Sequence, residues 1–434
     1  MQTVVLAAGQ GTRMRPLTDE RPKPMLPVAN RPLVAHTVDA AVEAGASRVV
    51  LVVGYEAEPI RGYFGENYAG VPIEYVVQHE RAGTADAVRA AAPELEDAPF
   101  VVLNGDALFD QPGLDELYDD GPAVASVRVD DPTQYGVLAV EDDAVTGIVE
   151  KPADPPSNLI NAGAYLFPAA AREWLDVPES ERGEHELTDV LERAIEQVDV
   201  RPVPLSRWLD VGRPWELLEA NEWKIASLAE RSAVPDATDA AAIDGEATEY
   251  AAVDGATTDT VVDEQATEYA AIDGTVSDDA TIEGPVVVED GATVREGVTI
   301  EGPALIRSGA TIGPNAYVRG TTLIGSDASV GHAVEVKNSV LMAGAAVNHL
   351  SYVGDSVLGR NVNFGAGTVV ANLRHDDASV RLTVKGERVS TGRRKFGVVV
   401  GDGAKTGIDT NLNAGVTLST GASTKPGESV TRDR

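Results

Sequence analysis

From Ile282 onward the chain repeats itself every six residues. Ile282, Val288, Val294, Ile300, Ile306, Ile312, Val318, Ile324, Val330, Val336 and Met342 occupy one phase without a break. Glycine or an acid often follows the aliphatic residue, and a small residue usually comes four positions on. Such a period fits neither a helix of about 3.6 residues per turn nor the two-residue alternation of an open strand. It is the signature of a left-handed parallel β-helix, whose coils have three short sides, each sending one aliphatic side chain inward. After a slip near Tyr352 the pattern resumes at Leu358 and Phe364. It returns at Val400, Thr406, Leu412, Leu418, Thr424 and Val430.

Residues 1–228 have a different rhythm. TVVLAA reads as a buried strand and LVAHTVDAAVEAG as a helix closed by Gly45. RVVLVVG (48–54), IEYVVQ (73–78), the helical ADAVRAAAPEL and FVVLNGD (100–106) continue the alternation. Short apolar strands separated by helices predict a parallel sheet in a Rossmann-like α/β domain. Sheets of this kind bind ligands at the carboxyl ends of their strands, where the opening glycine loop and Asp106 fall.

Between the two lies an acidic stretch. Residues 232–294 hold sixteen acids and no Lys or Arg, with a near-repeat in ATDAAAIDG (237–245), ATEYAAVDG (247–255) and ATEYAAIDG (266–274). Either this is a solvated linker, or I/V-D-G opens early coils, as in the six residues from Ile272. The expected division is a domain over 1–228, an acidic linker with imperfect repeats over 229–281, and a β-helix over 282–434.

The opening segment LAAGQGTRMRPLTDERPKPMLPV collects Arg13, Arg15, Arg21 and Lys23 in a chain of net charge −34. It is not a P-loop, and Met14 stands where G-x-G-x-x-G needs its third glycine. With 35 Lys and Arg against 69 Asp and Glu, the chain lacks the basic face that nucleic acid demands. The acidity resembles that of proteins from salt-loving organisms, in which a charged surface maintains solubility. No apolar run approaches a membrane span and no signal peptide is evident, so a cytoplasmic enzyme is expected. Zero cysteines exclude a thiolate metal site or nucleophile. Only eight residues are lysine, which draws attention to where they stand. The segment 373–397 reverses the trend, with seven bases against three acids; both a solvated hairpin and an anion site fit it.

Residues 9–28 match G-x-G-T-R-[ML]-x-P-L-T-x-x-x-P-K-P-[ML]-x-P-V, and VVQHERAGTADAV (76–88), LNGD (103–106), YGV (135–137), EKP (150–152), NAGAYLF (161–167) and WLDVG (208–212) follow in order. This set resembles the sugar-1-phosphate nucleotidylyltransferases over essentially all of 1–228. The resemblance implies in-line attack of a sugar-1-phosphate on the α-phosphorus of UTP or dTTP, with release of pyrophosphate. It places Leu6, Ala8, Gly9, Gly11, Gln78 and Gly83 at the nucleotide, Arg13 and Lys23 on the triphosphate, and Asp106 and Asp210 on Mg²⁺. Gly136, Glu150, Lys151 and Asn161 fall on contacts to the sugar phosphate. The chemistry is coherent. Glycine lets backbone N–H groups approach phosphate, paired carboxylates suit a hard cation, and the Gln78 carboxamide suits the imide edge of uracil or thymine.

The segment VEVKNSVLMAGAAVNHLSYVGDSVLGRNVNFGAGTVVAN (334–372) resembles the acetyltransferase half of bifunctional uridylyltransferase/glucosamine-1-phosphate acetyltransferases. His349 falls on the catalytic histidine, which takes a proton from the glucosamine amine as it attacks acetyl-CoA; imidazole titrates near neutrality and suits that task. Arg319, Lys337, Tyr352 and Asn363 fall on sugar-phosphate ligands, Glu335 and Asn372 on the acetyl-transfer site, and Ala366 on a backbone contact to acetyl-CoA. Leu373 departs from the bacterial tyrosine, and the basic 373–397 loop has no close bacterial match; the mixture resembles archaeal bifunctional proteins. Such β-helices usually trimerise, so a homotrimer is expected. The resemblance thus implies synthesis of UDP-N-acetylglucosamine from glucosamine-1-phosphate through N-acetylglucosamine-1-phosphate. Two other readings are a monofunctional glucose-1-phosphate thymidylyl- or uridylyltransferase with a structural β-helix, and a catalytically dead regulatory subunit. Intact Arg13, Lys23, Asp106 and Asp210 count against the last.

Overall fold

The computed structural model describes residues 1–54, 57–80, 82–119, 121–180, 183–232 and 270–434. The chain forms two compact units: Met1–Gln10, Pro22–Met25 and Arg31–Val211 in the first, and Gly11–Arg21, Leu26–Asn30 and Gly212–Arg434 in the second.

The first unit is built on a ten-stranded sheet. Its centre is parallel, in the order Phe100–Asn104, Gln2–Ala7, Arg48–Val53, Val71–Val77, and the antiparallel strand Leu159–Phe167 continues it beside Phe100–Asn104. Both faces of the parallel part are covered. Val49, Leu51 and Val53 enter one apolar cluster, whereas Val50 and Val52 enter the other. Burial on both faces explains why these strands read as continuous apolar runs. The helix Leu33–Glu43 packs on the first layer, and Gly45 follows it at φ +99°. The helix Thr84–Ala91 packs on the second. The strand ends align in register, Leu6 with Asn104 and Val53 with Val77. That alignment gathers Ala8, Asp106 and Gln78 along one edge.

The second unit is a prism of three parallel sheets with eight, six and eight strands. Successive coils add one strand to each sheet, except that the six-stranded sheet ends at Asn363–Phe364 and continues only as isolated bridges at Lys405 and Ser423. The first described coil strand is Ala270–Ile272, which pairs with Val286–Val288; 237–245, 247–255 and the first residues of 266–274 lie outside the described residues. Ile300, Val318, Val336, Val353, Val370, Leu412 and Val430 stack inward on one side and are essentially sealed from solvent. Burying one such side chain contributes about 1.5–3 kcal/mol, so the repeat itself is the core. Two inward positions late in the series are threonines, each paired with a second threonine. Thr406 Oγ1 lies 2.7 Å from Thr368 Oγ1, and Thr424 Oγ1 lies 2.8 Å from Thr410 Oγ1.

The periodicity departs from the sequence reading at one point. Leu341, not Met342, stacks inward between Ile324 and Leu358. The sides Val336–Leu341 and Val353–Leu358 are each one residue shorter than the regular six, so there are two slips rather than one. Each shortened side turns through a non-glycine residue of positive φ, Asn338 at 45° and Asp355 at 50°. Asn and Asp tolerate this region better than most side chains. Met342 remains buried outside the coil interior, with its Sδ 3.8 Å from Arg21 Nη1.

The helix Pro214–Ser232 belongs to the second unit. Asn221 Oδ1 accepts from the Ala29 N–H at 2.9 Å, and its Nδ2 donates to the Pro27 carbonyl at 3.1 Å. Glu222 accepts from Asn338 Nδ2 at 2.7 Å and from Arg393 Nη1 at 3.0 Å. These hydrogen bonds group the helix with the second unit.

Candidate active sites

In the first unit the carboxyl edge of the sheet carries the predicted nucleotide residues. Lys23 is only 7 % exposed, and its Nζ lies 2.7 Å from Asp106 Oδ2. Asp106 follows the strand Phe100–Asn104 in a turn that needs Gly105. The Gly105 N–H donates to the Leu6 carbonyl at 3.0 Å, and a Cβ there would come within 2.7 Å of that oxygen. Asp210 ends the strand Trp208–Asp210, where it pairs with Ala107. The Val211 N–H donates to the Asp106 carbonyl at 3.0 Å, tying the two acidic segments together. Two carboxylates thus stand on adjacent antiparallel segments, and carboxylate is the residue type that suits a hard divalent cation. No group of three or more His, Asp and Glu is found among the described residues, so the remaining ligands would come from phosphate and water.

Gln78 follows the strand Val71–Val77 and is 7 % exposed. Gly83 adopts φ +118°, and a Cβ there would overlap the His185 backbone at 2.2 Å; only glycine fits. The sugar-phosphate residues sit on the antiparallel extension. Gly136 pairs with Glu150, and a Cβ on Gly136 would come within 3.0 Å of Glu150 Oε2. Lys151 has φ +45° with its Nζ 3.0 Å from Glu150 Oε1. The strand Leu159–Phe167 shifts register between Asn161 and Tyr165, and in that irregularity Asn161 Nδ2 donates to the Tyr165 hydroxyl at 2.6 Å. Complete burial drives the Tyr165 phenol well above its usual pKa, leaving it a neutral partner.

Gly11 and Arg13 belong to the segment grouped with the prism. Gly11 has φ +64° and opens a short turn of 3₁₀ helix, Thr12–Met14, in which Arg13 is exposed. The other arginines of this basic segment have local partners. Arg15 lies 3.5 Å from Asp19, and Arg21, largely buried, lies 4.0 Å from Asp402.

On the prism, Glu335–Lys337 and Tyr352–Gly354 are neighbouring strands of one sheet, with Glu335 beside Tyr352 and Lys337 beside Gly354. Tyr317–Arg319 precedes them in the same sheet and sets Arg319 beside Lys337. Arg319 donates to Glu335 Oε1 from Nε and Nη2 at 2.8 and 2.7 Å. Beyond Lys337 lies a residue that the sequence reading did not single out. Asp355, 3 % exposed, accepts from Lys337 Nζ at 3.1 and 2.9 Å, from Asn338 Nδ2 at 3.0 Å and from Asn372 Nδ2 at 2.5 Å. Asn372 Nδ2 also lies 3.1 Å from the Tyr352 hydroxyl. Burial first, then the charges of Glu335 and Asp355, raise the Tyr352 pKa, so the phenol keeps its proton. The shortened coil side at 353–358 was the available signal, because it makes Asp355 a corner residue.

His349 and Asn363 stand apart from this cluster. His349 is exposed, with φ +58°, on the edge between the six-stranded sheet and the sheet of Tyr352. Its carbonyl accepts from the Gly367 N–H at 3.0 Å and from Ser351 Oγ at 3.1 Å. Ala366 lies on the same edge one coil further on. Asn363 pairs with Ala346 in the six-stranded sheet. The His349 edge and the Asp355 corner thus flank one sheet side about 10 Å wide, the span of three extended residues.

The 373–397 insertion is a hairpin, Arg381–Val384 with Glu387–Ser390. Several of its bases are paired: Arg374 with Asp376, Arg394 with Asp377, and Arg393 with Glu222. Burial alone would lower the Arg393 pKa, but the Glu222 bond and the charges of Glu222, Glu219 and Asp355 outweigh it. Arg393 is therefore not the free anion contact that the charge count suggested.

Among the described residues, no helix is long and apolar enough to cross a membrane. Residues 2–226 match the nucleotidyl transferase family model, and residues 300–400 match that of the GMPPB C-terminal domain. The bifunctional protein GlmU of Methanocaldococcus jannaschii is 38 % identical over 96 % of this chain and 91 % of its own length. A bifunctional sugar-1-phosphate nucleotidylyltransferase/acetyltransferase of Sulfurisphaera tokodaii is 34 % identical over 100 % and 98 % of the two chains. The UTP–glucose-1-phosphate uridylyltransferase AglF of Haloferax volcanii is 37 % identical over 51 % of this chain and 96 % of its own. Similarity at this level over both units, and not over the first alone, makes the chain a member of the archaeal GlmU-like family of bifunctional sugar-1-phosphate nucleotidylyltransferase/acetyltransferases.

Proposed function

We propose that the chain carries out two consecutive transfers leading to UDP-N-acetylglucosamine. On the prism, the amine of glucosamine-1-phosphate attacks the acetyl carbonyl of acetyl-CoA. The new C–N bond forms, the C–S bond breaks, CoA leaves, and His349 takes the amine proton. Arg319 and Lys337 face the sugar phosphate, while Tyr352, Asn363 and Asn372 orient the sugar and Ala366 meets the acetyl donor through its backbone. In the first unit a phosphate oxygen of N-acetylglucosamine-1-phosphate attacks the α-phosphorus of UTP, and the bond to the β-phosphate breaks to release pyrophosphate.

Work of this kind is mostly positioning and charge neutralisation. Lys23 and Arg13 supply the positive charge, Gln78 and Gly83 hold the base, and Gly136, Glu150, Lys151 and Asn161 hold the sugar phosphate. Asp106 and Asp210 would hold Mg²⁺, which would supply positive charge to offset that of the phosphates. A trimer would set the edges of neighbouring prisms side by side for acetyl-CoA.

The convergence of Lys337, Asn338 and Asn372 on buried Asp355, with Asn372 also bonded to the Tyr352 hydroxyl, carries the bifunctional reading. A β-helix that only assembles an oligomer has no need of a charged corner held by three donors. The test is a matrix of sugar-1-phosphates against UTP and dTTP, with pyrophosphate and CoA release followed in parallel. CoA release with glucosamine-1-phosphate supports the reading. Nucleotidyl transfer from glucose-1-phosphate without any CoA release supports the monofunctional alternative.

A further inference from the structure

Gln78 has one end of its carboxamide already committed. Its Nε2 donates to the Gly83 carbonyl at 3.0 Å and to Asp86 Oδ2 at 2.9 Å. Both partners are obligate acceptors, Asp86 because it is ion-paired to Arg89 at 2.5 Å. Exchanging the amide ends would set Oε1 against two oxygens, so chemistry fixes the orientation independently of how the amide is drawn. The Gly83 carbonyl is itself immobile. At φ +118° the backbone is pressed against His185, and the Ala85 N–H is bonded to the His185 carbonyl at 2.9 Å. Among the described residues nothing donates to Gln78 Oε1. A carboxamide free to turn would serve as donor or acceptor; this one is left only as an acceptor.

We propose that Asp86 is a specificity-determining residue: by pinning the Gln78 amide it restricts the site to a pyrimidine that presents an N–H at ring position 3, uracil or thymine, and rejects cytosine. The inference rests on the reading of Gln78 as the residue that meets the base. Uracil N3–H donates to Oε1. Cytosine N3 carries a lone pair, so two acceptors would face each other with neither satisfied. The C5 methyl that separates thymine from uracil lies on another edge, so the pin is indifferent to it.

The test uses the full chain with N-acetylglucosamine-1-phosphate and compares kcat/KM for UTP and CTP by pyrophosphate release. In Asp86→Ala the UTP:CTP ratio should fall roughly tenfold or more, the scale of a lost base-pairing discrimination, with the KM for the sugar phosphate unchanged. Asp86→Asn still offers an oxygen to Gln78 Nε2 and should hold the ratio to within about threefold of the parent. Asp86→Leu, similar in size but with no acceptor, covers the case in which Asp86→Ala does not fold and should lower the ratio alike. An unchanged ratio in the variants without an acceptor, an equal loss with both nucleotides, or an equal fall of the ratio in Asp86→Asn overturns the pin. Gln78→Ala separates the two levels of the argument: if it abolishes the UTP preference while Asp86→Ala leaves it intact, Gln78 reads the base without help from Asp86. If Gln78→Ala changes neither rate nor ratio, the base reading falls and takes the proposal with it.

Discussion

Lys337 donates to both carboxylate oxygens of Asp355, at 3.1 and 2.9 Å, on a coil corner where Asp355 is 3 % exposed. The pair holds an ammonium group in a fixed place beside Tyr352. Removing one partner of such a buried pair costs about 3–5 kcal/mol.

Asp355→Asn keeps the shape and hydrogen-bonding capacity of the corner but removes its charge. Acetyl transfer should fall at least tenfold, with the KM for glucosamine-1-phosphate raised as Lys337 loses its anchor, a change of about 1.4 kcal/mol or more. Uridylyl transfer from N-acetylglucosamine-1-phosphate should not change. CoA and pyrophosphate assays on one preparation check this, with a thermal melt to show that the prism is intact. A normal KM in the variant removes Asp355 from the site.

Lys23→Ala should lower pyrophosphate release by roughly 10²-fold or more, the magnitude carried by electrostatic stabilisers of charge in a transition state. CoA release should be unaltered. Asp106→Asn and Asp210→Asn should each raise the Mg²⁺ concentration needed for half-maximal nucleotidyl transfer, because a neutral amide is a poorer ligand for a hard cation. A Mg²⁺ titration of the three variants distinguishes the roles. Parental activity at low Mg²⁺ in both aspartate variants would make the pair structural.

The bases of the 373–397 hairpin should separate by partner. Arg393→Ser leaves Glu222, in a part-buried environment, without its cation, and should lower the melting temperature with a loss of about 1–3 kcal/mol. Arg394→Ser and Lys395→Ser should leave stability nearly unchanged and raise the KM for acetyl-CoA, an effect that shrinks in high salt as exposed charges are screened. Melting curves and KM values for the three variants check the division.

At a net charge of −34, mutual repulsion opposes the compact state and salt relieves it. The melting temperature should therefore rise steadily as KCl is raised from about 0.1 to 2 M, well beyond the concentration at which the Debye length has become a few ångströms. A flat or falling curve would sever the acidity from salt adaptation.

The repeat made the prism legible because a six-residue period has one structural solution, and each inward position is visible as an aliphatic residue. The two shortened sides were harder to see. Leu341 and Met342 are both apolar, so the phase changed without a gap in the pattern, and only the later of the two breaks, near Tyr352, was visible. Motif residues such as Lys23, Asp106 and Lys337 stood out by type and order. Asp355 and Asp86 did not, because their importance lies in what they hold, and a hydrogen bond to Lys337 or Gln78 leaves no trace in residue spacing. The placement of helix Pro214–Ser232 was hidden for the same reason. Asn221 and Glu222 are ordinary residues in an ordinary amphipathic helix until their partners Ala29, Pro27, Asn338 and Arg393 are known.

The bifunctional account depends most on His349, exposed on the edge beside the sheet of Tyr352 and placed in one transfer only. The deciding measurement is the pair of activities in His349→Ala: CoA release from acetyl-CoA with glucosamine-1-phosphate, and pyrophosphate release from UTP with N-acetylglucosamine-1-phosphate. The account predicts that CoA release falls by about 10²- to 10⁴-fold, the contribution of a positioned general base, while pyrophosphate release stays at the parental rate. CoA release at the parental rate in that variant would contradict the assignment of acetyl transfer to this edge of the β-helix.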